Sequence, residues 1–279
     1  MEHVLIKGEK YDVINNELFL KELKLAEISE IIGLEKLTNL KYLVLGNNEI
    51  STITGLESLR NLAKLYLNDN VITEIKNIEN LTKLQELSLH HNYLTKIDGL
   101  ETLIELEQLN LGHNEINEIN GLETLSKLKG LYLDHNNILE IKELECFNQL
   151  DSLFLGWNEI TEIKNINHLR KLTYLSLSSN QIKKITDIDK LTKLIFLNLS
   201  DNKIEEIEGL GSLTNLRKLK LNNNYIKELK GLGNLTNLEE LYLSGNQIDP
   251  ELIKSLGGLD RWGCARYPKM FVKYCQENQ

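Results

Sequence analysis

Proline is nearly absent from this chain, which contains two prolines among its 279 residues. Leu, Ile, Asn, Glu and Lys make up much of the remainder. A narrow amino-acid alphabet with few chain breakers is typical of one structural unit copied many times. The composition therefore favours a repeat protein.

An excess of basic charge is also lacking, because the formal net charge is -9. Nucleic acid and anionic membranes both require a basic surface on the protein that binds them. We therefore expect neither of them as the main partner. The charge does not indicate which protein would bind instead.

Long apolar runs and a secretion signal are missing as well. No stretch approaches the roughly 18 apolar residues that a membrane span requires. The first residues show no basic region followed by a long apolar stretch, the pattern of a signal peptide. The three cysteines are odd in number, which fits a reducing compartment better than a disulfide framework. We expect a cytoplasmic protein, or one that is also nuclear if the source is eukaryotic.

The sequence carries none of the common catalytic motifs. We find no phosphate-binding P-loop, no G-x-S-x-G, no H-E-x-x-H and no dinucleotide fingerprint. We therefore expect no catalytic residues, no cofactor and no enzymatic activity.

What is present is a strict repeat of 22 residues. Asparagines stand at positions 48, 70, 92, 114, 136, 158, 180, 202, 224 and 246 without any insertion between them. Around Asn48 the frame is L-x-x-L-x-L-x-x-N-x-I-x-x-I-x-G-L-x-x-L, which starts at Leu40. The L-x-L alternation predicts a short strand whose leucines face one side. An eleventh, degenerate unit precedes the ten, with Lys21 in place of a leucine and Ala26 in place of the asparagine.

One unit alone cannot fold. Seven buried aliphatic side chains contribute about 10–20 kcal/mol, whereas ordering 22 residues costs roughly 33 kcal/mol. Stacked neighbours complete the core and pair the strand edges. We expect each asparagine to bond backbone groups of its own and the adjacent coil, since a buried amide needs such partners.

A column of residues that tolerate a left-handed backbone follows the asparagines. Most of its members are glycines, and Asn77, Asn165 and Asp187 replace glycine in three units. Glu143 departs from this pattern, so we expect a different turn there. As domains we predict an N-terminal cap over 1–17, about eleven repeats over 18–259 and a C-terminal cap over 260–279.

The frame resembles the short, 22-residue subclass of leucine-rich repeats, that of the protein phosphatase 1 regulatory subunit. The resemblance implies an α/β repeat fold, a right-handed horseshoe solenoid with parallel concave strands and short 3₁₀ or irregular convex segments. It also implies a partner held on the concave face through aromatic and acidic residues, such as a Ser/Thr phosphatase catalytic subunit. Listerial internalins have a similar unit, but with proline where this chain has Gly55, Gly99 or Gly121 and with secretion and wall-anchoring segments.

Specificity must then depend on the variable strand positions. Large aromatics have no core role at these solvent-facing positions, and contiguous exposed aromatics mark interfaces. The plainer alternative is that aromatics simply favour strands and stack on each other. The predicted partner-binding residues are the aromatics Tyr132, Phe154, Trp157, Tyr174 and Phe196 with the flanking acids Asp134, Asp151 and Asp201.

Histidines form a second cluster. His91, His113 and His135 stand one repeat apart, with His90, Asp69 and Asp134 nearby in the sequence. Three imidazoles at strand spacing are weak candidates for a zinc site, and a solvated polar rim is the favoured alternative.

Taken together, the sequence predicts a monomeric, non-enzymatic scaffold that binds a protein. The alternative is a metal- or small-ligand-binding receptor that uses this rim.

Overall fold

The computed structural model describes residues 2–278, which form two compact units joined between Asn137 and Ile138. The N-terminal unit is built from short strands and two turns of 3₁₀ helix, at Ile28–Glu30 and Leu34–Lys36. Its strands are β1 His3–Ile6, β2 Glu9–Asp12, β3 Glu17–Phe19, β4 Tyr42–Val44, β5 Lys64–Tyr66, β6 Glu86–Ser88, β7 Gln108–Asn110 and β8 Gly130–Tyr132.

The C-terminal unit contains five further strands and two helices. The strands are β9 Ser152–Phe154, β10 Tyr174–Ser176, β11 Phe196–Asn198, β12 Lys218–Lys220 and β13 Glu240–Tyr242. The helices α1 Pro250–Ser255 and α2 Pro268–Glu277 follow the last strand.

Within each unit the repeat strands pair in parallel and in chain order. The middle leucine of one strand lies opposite the middle leucine of the next, as Leu175 does opposite Leu197. This register places equivalent residues of successive repeats side by side, and the leucines and isoleucines of the frame are buried between the coils. The predicted leucine-rich-repeat solenoid with a parallel sheet is thereby confirmed.

The asparagine ladder connects neighbouring coils as expected. Asn180 is 4% exposed. Its side-chain amide donates to the carbonyl oxygens of Leu155 and Leu177, at 2.9 and 3.1 Å, and its side-chain oxygen accepts from the N–H of Ile160 at 2.9 Å. One side chain thus satisfies backbone groups of two coils, and the same pattern recurs at the equivalent asparagines.

The turn after each asparagine is left-handed even where glycine is absent. Gly231 has φ +73°, and a Cβ there would lie 2.2 Å from the carbonyl oxygen of Ile207. Asn77 keeps the same backbone and donates its side-chain amide to the Ile53 carbonyl at 2.7 Å. Glu143 also has φ +56°, so the expected departure in its backbone is wrong.

The first coil has a different register from the one that the repeat predicts. Strand β3 pairs Leu18 with Leu43, an offset of 25 residues rather than 22. Leu18 and Leu20 fill the leucine positions that the sequence frame assigns to Lys21 and Leu23. Three additional residues lengthen this coil, and a strict frame cannot detect them.

Both ends of the repeat array are covered. The β1–β2 hairpin buries Val4 and Ile6, and Leu5 exchanges two backbone hydrogen bonds with Ile32. At the other end the N–H of Ala265 donates to the Leu241 carbonyl at 2.7 Å, so the tail occupies the free edge of β13. A covered edge cannot pair with another chain.

The C-terminal tail contains both helices. Asp249 caps α1 by accepting from the N–H of Glu251 at 2.9 Å, with Pro250 at the first helical position. Phe271 and Val272 of α2 are buried. Trp262, Tyr267 and Met270 of the tail are exposed. Among the described residues, neither helix has the length and apolar character needed to cross a membrane.

Replacing Asn180 with alanine should destabilise the protein strongly. The change leaves the Ile160 N–H without its partner and removes one of the two amide donors of the Leu155 carbonyl, whose other donor is Asn158. A buried unsatisfied group costs about 1–3 kcal/mol. We expect a loss of about 3 kcal/mol in unfolding free energy, measured by urea denaturation.

Asn215 provides the matched control, since its exposed amide makes one hydrogen bond, to the Thr192 carbonyl. Asn215→Ala should change the unfolding free energy by less than about 1 kcal/mol. Equal losses in the two variants would show that the buried ladder has no special role.

Candidate functional site

The open face of each sheet is formed by the first and third residues of the strands, because the middle leucine is buried. Neighbouring strands are about 4.8 Å apart, so equivalent side chains on this face contact one another. Specific binding requires variable residues on a rigid surface, and this face offers them.

Four aromatic side chains of the C-terminal unit form what we call the aromatic surface: Phe154, Trp157, Tyr174 and Phe196. Tyr174 and Phe196 are opposite each other in register, and their ring centroids are 6.2 Å apart. Trp157 is 58% exposed and Tyr174 44% exposed, whereas Phe154 and Phe196 are half-buried. The arrangement can offer a flat apolar contact area.

Trp157 is an unusual residue type for its backbone position. It occupies the position just before the ladder asparagine, where each repeat has positive φ, and its own φ is +55°. Asn47, Asp69, Asp201 and Asn223 occupy the same column. The column also contains Ser179 and the histidines His91, His113 and His135. Asn, Asp and His tolerate this conformation better than most residues, for which it costs about 1–2 kcal/mol. A bulky, exposed aromatic in a strained position points to a function rather than to stability.

The acidic residues predicted beside the aromatics are exposed in the same unit. The Asp151 backbone carbonyl accepts from the N–H groups of Thr173 and Tyr174. The Asp201 carboxylate accepts from the Asn223 side chain at 2.7 Å. Both carboxylates thus lie on the solvent side of the coils, next to the strands that carry the aromatic surface.

The two other predicted partner-binding residues belong to the N-terminal unit. Tyr132 ends β8, and Asp134 follows it; both are half-buried. Their placement relative to the aromatic surface stays a prediction.

The histidines of the N-terminal unit form a stacked column. The rings of His91 and His113 have centroids 3.9 Å apart, and the same distance separates His113 from His135, with interplanar angles of 15°. His90 packs edge-on against His91 at 5.1 Å. Side chains that are 22 residues apart in sequence are therefore direct neighbours.

The N-terminal unit has a second aromatic cluster that is not evident from the sequence. Phe19, Tyr42 and Tyr66 form successive edge-to-face pairs with centroids 5.3 and 5.2 Å apart. The Tyr66 hydroxyl donates to the Glu86 carboxylate, and burial together with this bond raises the pKa of Tyr66. Lys64 forms an ion pair with Glu86 at 2.9 Å. Tyr42 and Tyr66 belong to different strand columns, so comparing residues within one column does not reveal the contact.

Two of the basic residues near the C-terminal end lie beside acidic partners. Lys218 forms an ion pair with Glu240 at 2.6 Å, and Arg217 lies 3.6 Å from Glu239. Lys220 lies over the Tyr242 ring at 5.1 Å from its centroid. This end of the sheet is therefore not a concentrated site of positive charge.

Family models identify the repeat. Models of the leucine-rich repeat match residues 19–58, 60–102, 192–234 and 214–255, and further models of this repeat match 82–138 and 168–184. The matched residues span more than half of the chain. The chain therefore belongs to the leucine-rich-repeat family, whose fold is typical of protein-binding scaffolds.

Several solved structures have a similar fold. An internalin (inlF) from Listeria monocytogenes is 32% identical, with a TM-score of 0.58 over 84% of this chain and 82% of that chain. The internalin inlC2 of the same bacterium is 31% identical, with a TM-score of 0.57 over 78% of this chain and 87% of that chain. A leucine-rich-repeat protein of Leptospira interrogans is 25% identical, with a TM-score of 0.54 over 86% and 80% of the two chains.

No curated protein matches the chain significantly in sequence. The lack of the internalin proline at Gly55, Gly99 and Gly121 does not prevent a fold match to internalins. The resemblance to the phosphatase regulatory subunit stays a prediction.

Trp157→Asn should leave the protein as stable as before or more stable. Removing a buried tryptophan commonly costs about 3–5 kcal/mol, but Trp157 is exposed and strained. Asparagine is the residue of Asn47 and Asn223 in the same column. We expect the unfolding free energy to change by between zero and a gain of about 1 kcal/mol, measured by urea denaturation. A loss above about 2 kcal/mol would mean that Trp157 is a structural residue.

Proposed function

We propose that this chain is a non-enzymatic scaffold that binds a protein partner through the aromatic surface, with Asp151 and Asp201 beside it. Tyr132 and Asp134 are the proposed contributions of the N-terminal unit. The observation that carries the proposal is the exposure of Trp157 in a strained backbone conformation.

Energetic considerations support an interface at these residues. Trp and Tyr are enriched among the few residues that contribute most of the binding energy of protein interfaces. Their rings bury a large area while losing few rotatable bonds. Held on strands and on a hydrogen-bonded turn, they are ordered before the partner arrives, so little entropy is lost on binding.

The competing explanation is that aromatics are present only because they favour strands. This explanation suffices for Tyr174 and Phe196, which are in register and contact each other. It does not explain Trp157, which lies outside the strand in a left-handed turn that small polar residues prefer. Binding accounts for all four side chains.

As the more specific form of the proposal, the partner is the catalytic subunit of a Ser/Thr phosphatase. The support is the 22-residue frame together with aromatic and acidic residues on one open face. The chain would act as a cytoplasmic monomer, because self-association through this face would cover the proposed site.

The double variant Trp157→Asn with Tyr174→Ser should retain the fold and lose the partner. Truncating two hot-spot aromatics weakens an interface by at least about 2 kcal/mol, so binding should fall at least about thirtyfold. Affinity capture from lysate of the source organism, followed by calorimetry with the purified partner, measures this. The control is Tyr225→Ser, which removes an exposed aromatic from the same unit outside the strands.

Equal capture by the wild type, the double variant and the control would refute the aromatic surface as the binding site.

The phosphatase form of the proposal has its own test, calorimetry with a purified protein phosphatase 1 catalytic subunit. Absence of heat at tens of micromolar would exclude that partner and leave the broader proposal intact.

A further inference from the structure

The histidine column of the N-terminal unit contains two groups of side chains arranged for a metal ion. In one group, Asp69, His90 and His91 each have a donor atom within 4.8 Å of those of the other two. In the second group, His113, Asp134 and His135 satisfy the same criterion. Each group comprises two imidazoles and one carboxylate.

The two groups occupy the same positions of the repeat. Asp69 and His113 are both the residue before a ladder asparagine, and the other members come from the next coil in both cases. The second group is displaced from the first by 44 residues, two repeats, at all three positions. The carboxylate changes place with an imidazole, yet the set of donors is unchanged. A random polar rim has no reason to keep the donor set constant.

The backbone ladder holds the donors of each group together. The N–H of Asp69 donates to the His90 carbonyl at 3.0 Å, and the N–H of His113 donates to the Asp134 carbonyl at 2.8 Å. The coils therefore cannot slide apart, and only side-chain rotation is needed to bring the donors together.

Neighbouring polar groups orient the donors. The Ser88 hydroxyl lies 3.1 Å from Nδ1 of His90, which directs Nε2 of that ring away from Ser88. The Asn68 side-chain amide donates to the Asp69 carboxylate at 2.7 Å. Metal-binding histidines and carboxylates are commonly held by such outer partners, which fix ring orientation and tautomer.

In the second group, a glycine leaves space for the carboxylate. A Cβ on Gly112 would lie 3.3 Å from both carboxylate oxygens of Asp134 and 3.2 Å from its backbone oxygen. A larger residue would crowd this carboxylate, so the glycine leaves the Asp134 oxygens space beside His113.

Backbone preference explains only part of the cluster. Histidine tolerates positive φ better than most residues, which accounts for His91, His113 and His135 at φ +53° to +54°. Aspartate tolerates it as well, which accounts for Asp69. Backbone preference does not account for His90 or Asp134, which lie outside this column. Metal binding accounts for all six residues.

We propose that Asp69, His90 and His91 bind one divalent transition-metal ion, and that His113, Asp134 and His135 bind a second. The donor set of two nitrogens and one oxygen suits zinc, with water as the fourth ligand. Donors in a tetrahedral complex with bonds of about 2.0–2.1 Å lie about 3.3 Å apart. The donor atoms of each group lie within 4.8 Å of one another, and rotation of these exposed or half-buried side chains would bring them to the shorter separation.

The protonation states agree with this assignment. Burial lowers the pKa of His90, and burial together with His135 and His91 lowers the pKa of His113. Neutral imidazole is the form that binds metal, so the direction of both shifts favours binding.

Titration of the metal-free chain with zinc chloride, followed by calorimetry, tests the proposal. We expect two zinc ions per chain with affinities in the micromolar range or tighter, and a melting temperature that rises with zinc concentration. His90→Asn with His91→Asn should reduce the stoichiometry to one, and so should His113→Asn with His135→Asn. Asparagine occurs naturally in both columns, at Asn68 and Asn47, so the backbone should be retained.

A matched pair of carboxylate variants separates ligation from general charge effects. Asp69→Asn should weaken one site at least about tenfold. Asp201→Asn, at the same position of the repeat but without histidines beside it, should leave both sites unchanged. No heat at micromolar zinc, a stoichiometry of one for the wild type, or equal effects of the two aspartate variants would overturn the assignment.

Discussion

The hydrogen bonds of the buried asparagines are the constraint on which the rest of the structure depends. Each asparagine connects backbone groups of its own coil and of the coil before it, as Asn136 does by donating to the Leu111 and Leu133 carbonyls and accepting from the Ile116 N–H. Buried backbone groups require such partners. Because the ladder and the leucine core together determine the backbone conformation, the same strand and turn recur in successive repeats.

A constant backbone determines where variation is tolerated. The open-face strand positions and the left-handed residue before each asparagine contribute little to the core, so they can hold residues chosen for other reasons. The column of left-handed residues before the asparagines is an example. Trp157 occupies a position where other repeats have Asp201 or Asn223, residue types that cause less backbone strain there. The binding residues that we propose therefore lie in columns of side chains, with aromatic residues in the C-terminal unit and histidines with carboxylates in the N-terminal unit.

The sequence predicts most of the fold because a strict repeat leaves few alternatives. The strands and the asparagine ladder follow from spacing and residue type. The first coil does not, since Leu18 and Leu20 take up a register that three additional residues displace. The exposure of Trp262 and the contact between Tyr42 and Tyr66 depend on packing across columns, which spacing does not encode. The histidine stack is visible in sequence, but the roles of Ser88, Asn68 and Gly112 around it emerge only in three dimensions.

Native-state hydrogen exchange tests the central role of the ladder most directly. The backbone N–H groups of Ile72, Ile116 and Ile182 lie outside the strands and donate to asparagine side-chain oxygens at 2.9 to 3.0 Å. The account predicts that these amides exchange as slowly as those of the paired strands, since opening them requires separating two coils. Exchange at the rate of exposed turns would show that the asparagine bonds open independently, and would contradict the account.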